Sequence, residues 1–362
     1  MIPYENLKRL NAPFVDKFRQ EFEKVLNNGY YILGPELEAF EKEYAAWHSS
    51  KYCVGVSNGL DALILSLMAC NLPTGSEVIV PSNTYIASIL AILACRLKPV
   101  LVEPNLATYN LDPDKIEAAI TPYTKAIMAV HLYGKCCAMD KLMAIKQQYN
   151  LFLIEDCAQS HGATYKGKLS GTFGEFGAFS FYPTKNLGAL GDAGAVIVDN
   201  EGHKNTLAQL RNYGSEKKYY NDILGYNNRL DEMQAAFLSA KLPYLSAMNA
   251  HRNKLAAMYF ENLSDKFILP VRDADYYDVF HIFNIRHEKR DDLQAYLTKK
   301  GIGTVIHYPV PPHKQKALIG IEGIESSYPI AEKIHDTTLS IPCSFCHTEG
   351  EILQVIEALN SY

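Results

Sequence analysis

Apolar residues at Phe14, Phe18, Phe22 and Val25/Leu26 recur at steps of three and four, the spacing that gathers side chains on one face of an α-helix. A second series, Leu37, Phe40, Tyr44 and Trp47, starts after Gly34-Pro35, where glycine interrupts one helix and proline suits the first turn of the next. The chain is thus expected to open with two amphipathic helices. Beyond them the period changes. Short apolar, β-rich runs at 52–56, 77–80, 99–103, 125–131, 151–155, 177–181 and 194–199 alternate with helical stretches. Asp112-Pro113, between two of these runs, has the order of an N-cap followed by proline at the first helical position. Seven such runs separated mostly by helices predict a largely parallel sheet covered by helices on both faces. From Leu230 to Phe260 the pattern is helical, with a break expected at Pro243. Residues 279–286 then alternate like a strand with one covered face, and 291–300, 327–336 and 349–360 read as helices. The predicted organisation is α/β: a large domain over 1–240 with an N-terminal helical arm and a seven-stranded, mostly parallel sheet, then a smaller α+β domain over 241–362. No internal repeat or low-complexity segment is visible, so a solenoid is excluded.

Composition narrows the range of partners. The 362 residues carry 35 Lys+Arg against 40 Asp+Glu, a net charge of −5, and the basic residues are scattered. A nucleic-acid groove or a polybasic membrane patch needs concentrated positive charge, so a small-molecule partner is the better expectation. No apolar run approaches the ~18 to 20 residues of a spanning helix, and the first eleven residues carry charges where a signal peptide would be apolar, which predicts a cytoplasmic protein. The eight cysteines sit mostly in apolar stretches and read as reduced core residues. Cys343-Ser344-Phe345-Cys346-His347 matches the c-type haem attachment pattern letter for letter, but haem attachment needs an exported protein. Packing is the expected role there, and a loop role or packing for the adjacent Cys136-Cys137. No metal site is expected.

In parallel sheets ligands bind beyond the carboxyl ends of the strands, and the residues at those points are polar and specific here. After the first run comes Ser57-Asn58-Gly59-Leu60-Asp61, a helix start whose free N–H groups and dipole favour a phosphate. A plain capped helix would give the same letters. After the fifth run stands Glu155-Asp156-Cys157-Ala158-Gln159. Burying a carboxylate costs several kcal/mol unless it is paired, and either a protonated heterocyclic nitrogen or an ordinary salt bridge would serve. After the sixth run, Ser180-Phe181-Tyr182-Pro183-Thr184-Lys185-Asn186-Leu187-Gly188 sets a hydroxyl and a lysine five residues apart on a loop. A desolvated lysine loses proton affinity and becomes a nucleophile toward carbonyls, whereas an isolated surface lysine would not.

These three segments together, with Gly34-Pro35 and Gly225-Tyr226-Asn227-Asn228-Arg229-Leu230-Asp231, resemble the DegT/DnrJ/EryC1/StrS family of pyridoxal-phosphate-dependent nucleotide-sugar aminotransferases over essentially the whole chain. The resemblance implies the aspartate-aminotransferase-like fold (fold type I) and pyridoxal 5'-phosphate as cofactor. It implies that Lys185 is the Schiff-base lysine and the proton carrier, that Asp156 pairs with the ring nitrogen, and that Gln159 contacts the ring hydroxyl. Ser180 with the backbone of Gly59 and Leu60 would hold the phosphate, and Tyr85 would stack on the ring. Many relatives have threonine where Leu60 stands, so a side-chain phosphate contact is missing there. Asn228 aligns with a residue that reaches the phosphate from a second subunit, which implies a homodimer with shared active sites. One branch of the family replaces the lysine by histidine and acts as dehydratases, which Lys185 speaks against; another adds an iron–sulfur cluster, for which the cysteines lack a clustered set.

The segment Val305-Ile306-His307-Tyr308-Pro309-Val310-Pro311-Pro312-His313-Lys314-Gln315 resembles the loop of members that aminate C-3 of dTDP-3-keto-6-deoxyhexoses. His307, Tyr308 and His313 are then expected as sugar or nucleotide contacts, with Tyr182 and Arg229 as further substrate-binding residues. L-glutamate is the implied amino donor and 2-oxoglutarate its product. The amino sugar would serve a cell-surface glycan (lipopolysaccharide O-antigen or S-layer) or a glycosylated metabolite. Amination at C-4 of a 4-keto nucleotide sugar, and a non-catalytic cofactor-binding regulator, are the alternatives. A nicotinamide reductase is disfavoured because no Gly-x-Gly-x-x-Gly turn follows the first two strand runs.

Overall fold

The computed structural model describes all 362 residues. Its centre is one sheet of seven strands: β1 (Tyr52–Val56), β2 (Glu77–Pro81), β3 (Lys98–Val102), β4 (Thr124–Val130), β5 (Phe152–Asp156), β6 (Phe176–Ser180) and β7 (Gly194–Val198). Each lies within one residue of a run expected from the sequence. The spatial order is β1-β7-β6-β5-β4-β2-β3. All pairings are parallel except those of β7, which runs antiparallel to β1 and to β6. The apolar character of the central strands follows from their position: Ala126, Ile127, Met128 and Ala129 of β4 are completely buried because both faces of the sheet are covered.

On one face, α3 (Gly59–Ala69) and α4 (Ile86–Ala94) pack Leu63, Leu65, Ile89 and Ile92 against Val54, Val78, Met128 and Ile154 of the sheet. On the other face two cores lie side by side. One joins Phe179, Ala195 and Ile197 to Phe14, Phe18, Leu37, Phe40, Tyr44 and Leu238, which come from the N-terminal arm with α1 (Val15–Asn28) and α2 (Pro35–Trp47) and from α6 (Glu232–Lys241). The second packs α5 (Met139–Tyr149) against Ile79, Ile127 and Leu153. Phe22 and Leu26 depart from the expectation for the first helix, since both are exposed while Phe18 and Val25 are buried. Glu232, at the start of α6, is completely buried and accepts the backbone N–H groups of Gly34, Glu36 and Leu37 at 2.7, 2.8 and 3.1 Å. It thus caps α2 and anchors the arm to the rest of the chain.

Pro243 breaks the long helical stretch as expected. α6 stops at Lys241, a single tight turn holds the proline, and α7 (Leu245–Asn262) follows. Beyond it, β8 (Phe283–Arg286) pairs antiparallel with β9 (Thr338–Ile341). α7, α8 (Arg290–Lys299) and α10 (Glu349–Asn360) close over this ribbon around Leu255, Phe283, Leu293, Leu339 and Ile352. The strand expected over 279–286 is shorter because Phe280 takes a left-handed φ of 41°, which turns the chain before pairing begins. α9 (Pro329–Thr337) occupies the helical stretch expected at 327–336. The N-terminus joins this part of the chain: Ile2 exchanges two backbone hydrogen bonds with Gly301 and Gly303, each 2.8 Å. All eight cysteines are free, and Cys136 and Cys137 pack in the core beside α5. In the Cys343–His347 turn, His347 Nδ1 accepts the Ser344 N–H and Nε2 donates to the Pro3 carbonyl, so the motif packs the N-terminus. No helix is long and apolar enough to cross a membrane.

Candidate active site

The carboxyl ends of β1, β4, β5 and β6 open on a cavity of about 680 Å³. Gly59, Leu60, Tyr85, Asp156, Gln159, Ser180, Tyr182, Lys185, His307 and Tyr308, all singled out in the sequence, line it together. They come from five separate segments of the chain; the sheet order gathers four of them, and the 307–308 segment reaches the cavity from the C-terminal part of the chain.

One wall is the start of α3. Asn58 caps it, its Oδ1 accepting the Asp61 N–H at 2.9 Å, while the Asp61 carboxylate accepts from Asn58 Nδ2 at 2.7 Å and from the Ser57 hydroxyl. Gly59 and Leu60 are the first two helical residues, so their N–H groups have no partner within the helix. A Cβ on Gly59 would stand 2.5 Å from Cβ of Ser180, and one on Gly194 would stand 2.3 Å from the Asn58 carbonyl oxygen. The turn therefore lies directly on the end of β6 and the start of β7, and Gly59 and Gly194 are what allow that approach. Two free amides and a serine hydroxyl around a gap with no room for a side chain fit a phosphate group. The Leu60 side chain packs against the hydrophobic core, so this residue can contribute only its backbone.

Asp156 ends β5 and is buried. Burial raises its pKa, opposed by a 2.8 Å hydrogen bond from Ser88 Oγ, a 3.2 Å bond from the Ala158 N–H and the positive charge of Lys185. An acid held in this state suits a cationic ring nitrogen, which would restore the charge balance that burial disturbs. Lys185, on the loop after β6, has its amine brought down to about 8 by burial, with the Asp156 charge working in the other direction. A free amine is therefore accessible near neutral pH, as Schiff-base chemistry requires.

Gln159 joins two parts of the wall. Its Oε1 accepts the Tyr133 N–H at 2.7 Å and its Nε2 donates to the Tyr308 hydroxyl at 2.9 Å. The Tyr85 and Tyr308 rings lie 5.0 Å apart. The 307–308 backbone is tied down by the Tyr133 hydroxyl, which donates to the His307 carbonyl, and by His335 Nδ1, which donates to the Tyr308 carbonyl at 2.6 Å. His307 Nδ1 lies 2.8 Å from Ser340 Oγ, and burial, with Lys185 adding to it, pushes this imidazole down to about 4. It is neutral at physiological pH.

Three expected site residues lie outside the cavity. Asn228 and Arg229 run beside β1, where the Asn228 carbonyl accepts the Ser57 N–H at 3.2 Å and the Arg229 guanidinium donates to Asn212 at 3.1 Å. His313 is buried elsewhere, with Nε2 3.0 Å from Glu332 and its ring against Tyr328. The structure replaces its expected sugar contact with a loop-bracing role. Conversely, the sequence reading passed over Ser88 and His281. A lone buried serine one turn into an otherwise apolar helix was the available signal for the first. For His281 no local signal existed. His131 also reaches the cavity wall, but both its ring nitrogens are used: Nδ1 accepts the Cys137 N–H at 3.0 Å and Nε2 donates to Glu155 at 2.9 Å. Glu155 in turn accepts the N–H groups of Gly171, Phe173 and Gly174 at 2.7 to 2.8 Å. His131 and Glu155 therefore form a hydrogen-bond network that pins the 171–174 loop, with Cys157 packed in the core beside them.

A lysine with lowered proton affinity and a buried acid in one cavity, beside a phosphate cradle at the carboxyl ends of a sheet of this order, define a pyridoxal-phosphate enzyme of fold type I. Comparison with known proteins agrees. Residues 14–360 match the DegT/DnrJ/EryC1/StrS aminotransferase family. The chain is 50% identical, over 100% of its own length and 99% of the relative's, to the dTDP-3-amino-3,6-dideoxy-alpha-D-galactopyranose transaminase of Aneurinibacillus thermoaerophilus. It superposes on S. venezuelae DesV, solved in complex with a ketimine intermediate, with a TM-score of 0.97 at 43% identity, covering 99% of this chain and 98% of that one. NtdA of Bacillus subtilis, solved with bound cofactor PMP, gives 0.93 at 34% identity, covering 99% and 84%. The chain belongs to the DegT/DnrJ/EryC1/StrS aminotransferase family and is a pyridoxal-phosphate-dependent aminotransferase.

Proposed function

We propose that the protein transfers an amino group from L-glutamate to C-3 of a dTDP-3-keto-6-deoxyhexose, giving a dTDP-3-amino-3,6-dideoxyhexose and 2-oxoglutarate. The observation that carries the reading is full-length similarity at 50% identity to a transaminase named for a 3-amino-3,6-dideoxy sugar, combined with Lys185 and Asp156 facing one cavity. C-4 amination is not favoured because full-length relatives at 50% and 43% identity are both named for 3-amino sugars, and a non-catalytic regulator is not favoured because Lys185 and Asp156 both line the cavity.

Bound pyridoxal phosphate supplies an electron-poor ring that accepts the electron pair left when a C–H bond next to nitrogen is broken. Asp156, kept in place by Ser88 and the Ala158 amide, would hold the ring nitrogen in its protonated form. The amides of Gly59 and Leu60 and the Ser180 hydroxyl would hold the phosphate, and Tyr85 would cover a ring face. Lys185, with its amine near neutrality, acts in both directions: it removes the α-proton of the amino donor and later delivers a proton to C-3 of the sugar.

On this reading Asn228 reaches the phosphate site of a neighbouring subunit in a homodimer, and Arg229 stays a candidate substrate contact. Tyr30, Tyr31, Tyr213 and Tyr226 are exposed near this segment, where Ile32 bridges Asp231 and Asn212 bridges Asn227, and they support a subunit contact there. Product mass spectrometry after incubation with L-glutamate and either a 3-keto or a 4-keto dTDP-6-deoxyhexose tests the proposal. Amination of the 3-keto sugar is expected; amination of the 4-keto sugar alone would overturn it.

A further inference from the structure

His281 follows the turn at Phe280 and lines the cavity beside Lys185, yet no step described so far uses it. Its Nδ1 lies 3.2 Å from Oδ1 of Asn186, the residue that follows Lys185 in the chain. The orientation of that amide is settled by its other contacts. Asn186 Nδ2 donates to Asn249 Oδ1 at 2.8 Å and to the Val279 carbonyl at 2.9 Å. Asn249 is itself oriented by donating from Nδ2 to the His161 carbonyl at 2.8 Å. Asn186 Oδ1 can therefore only accept, and the His281 proton resides on Nδ1. Burial holds the imidazole pKa well below its ordinary value, reinforced by the positive charge of Lys185 and Arg252 and by His307 and His161. The second nitrogen, Nε2, consequently presents a bare lone pair to the cavity.

A fixed lone pair selects its ligand by chemistry. Phosphate, carboxylate and ketone oxygens are acceptors and would be repelled, whereas a hydroxyl can donate to it. Among the groups this reaction brings in, sugar hydroxyls are the lasting donors. A 3-keto-6-deoxyhexose joined to the nucleotide through C-1 keeps ring hydroxyls only at C-2 and C-4, the two carbons that flank the ketone, and His281, His307 and Lys185 line the one cavity such a sugar would enter. We propose that His281 is a specificity residue of the sugar half-reaction, its Nε2 accepting a hydrogen bond from a hydroxyl on a carbon adjacent to the ketone. This rests on the aminotransferase reading above.

The test uses the holoenzyme and the variants His281→Phe and His281→Gln, each checked for the visible band of bound cofactor. Stopped-flow spectroscopy follows loss of that band with L-glutamate and its return with ketosugar. With the hydroxylated ketosugar, the Phe variant is expected to lose about 10- to 100-fold in kcat/KM, the range for leaving one site group unpaired. Its sugar half-reaction should slow at least tenfold more than its glutamate half-reaction. With the counterpart deoxygenated at C-2 or at C-4, one of the two should show no difference between wild type and variant. The Gln variant, which retains an acceptor oxygen, should recover part of the loss. Equal losses on all three sugars, or equal slowing of both half-reactions, would overturn the assignment and leave His281 as support for Asn186. If the wild-type enzyme aminates only a 4-ketosugar, the regiochemical reading fails separately, and the same comparison on that sugar and its deoxy counterparts decides the role of His281.

Discussion

Ser88 Oγ donates a 2.8 Å hydrogen bond to Asp156 Oδ2 across a separation of 68 residues in the chain. The serine is completely buried in the first turn of α4, and its bond is the leading influence that opposes the burial-driven rise in the acid's pKa. Ser88→Ala should therefore push that pKa higher and weaken the pairing with the cofactor nitrogen. A hydrogen bond to a charged group contributes about 1.5 kcal/mol or more, so cofactor affinity is expected to fall roughly tenfold. Spectrophotometric titration of apoenzyme with pyridoxal phosphate measures this. An unaltered affinity would mean that Ser88 merely packs.

Gly59→Ala places a methyl group 2.5 Å from Cβ of Ser180, so the start of α3 and the end of β6 must separate. The phosphate cradle widens while the core below it is untouched. We expect at least a tenfold loss of pyridoxal phosphate affinity with little change in far-ultraviolet circular dichroism. Retention of full affinity would place the phosphate elsewhere.

Lys185 gives the cofactor-free protein a distinctive pH dependence. Its folded-state pKa of about 8 lies below the ordinary lysine value of about 10.4. Between those two values the unfolded chain binds a proton that the folded chain has released, so this group's contribution to stability increases as pH rises through the window. At pH 7 the amine is charged in both states and its burial is unfavourable. Apo-Lys185→Met should therefore be more stable than apo-wild-type at pH 7, and urea unfolding should show that advantage shrinking by pH 10. A gap that does not change with pH would show that the amine is fully solvated. In the same window, recapture of pyridoxal phosphate by wild-type apoenzyme should accelerate as the free base forms.

Glu232 tests the anchoring of the N-terminal arm. Glu232→Ala leaves three backbone N–H groups at the start of α2 without their acceptor. At about 1 kcal/mol or more for each unpaired donor, a loss of roughly 3 kcal/mol is expected, and Glu232→Gln, which retains one acceptor oxygen, should lose less. Urea denaturation midpoints provide the measurement. A loss below about 1 kcal/mol for the alanine variant would indicate that water replaces the carboxylate.

The seven sheet strands were legible in the order of apolar residues because a strand covered on both faces has to be apolar along its whole length. Their carboxyl ends then pointed to Gly59, Asp156, Ser180 and Lys185, since the parallel arrangement puts those ends on one edge. The same reading failed where burial has a different cause. Phe22 and Leu26 continue a helical stripe but remain exposed, and His313, in a loop rich in polar residues, turns inward to Glu332.

Residue order alone was sufficient for the alternation of strands and helices and for the break at Pro243, because periodicity and turn chemistry are local properties of the chain. Only the folded molecule showed that Ser88 supports Asp156, that Asn186 sets the tautomer of His281 95 positions away, and that Glu232 caps α2. Those pairings depend on how elements distant in sequence are set against one another, to within the few tenths of an ångström that a hydrogen bond tolerates, and no local pattern carries that information.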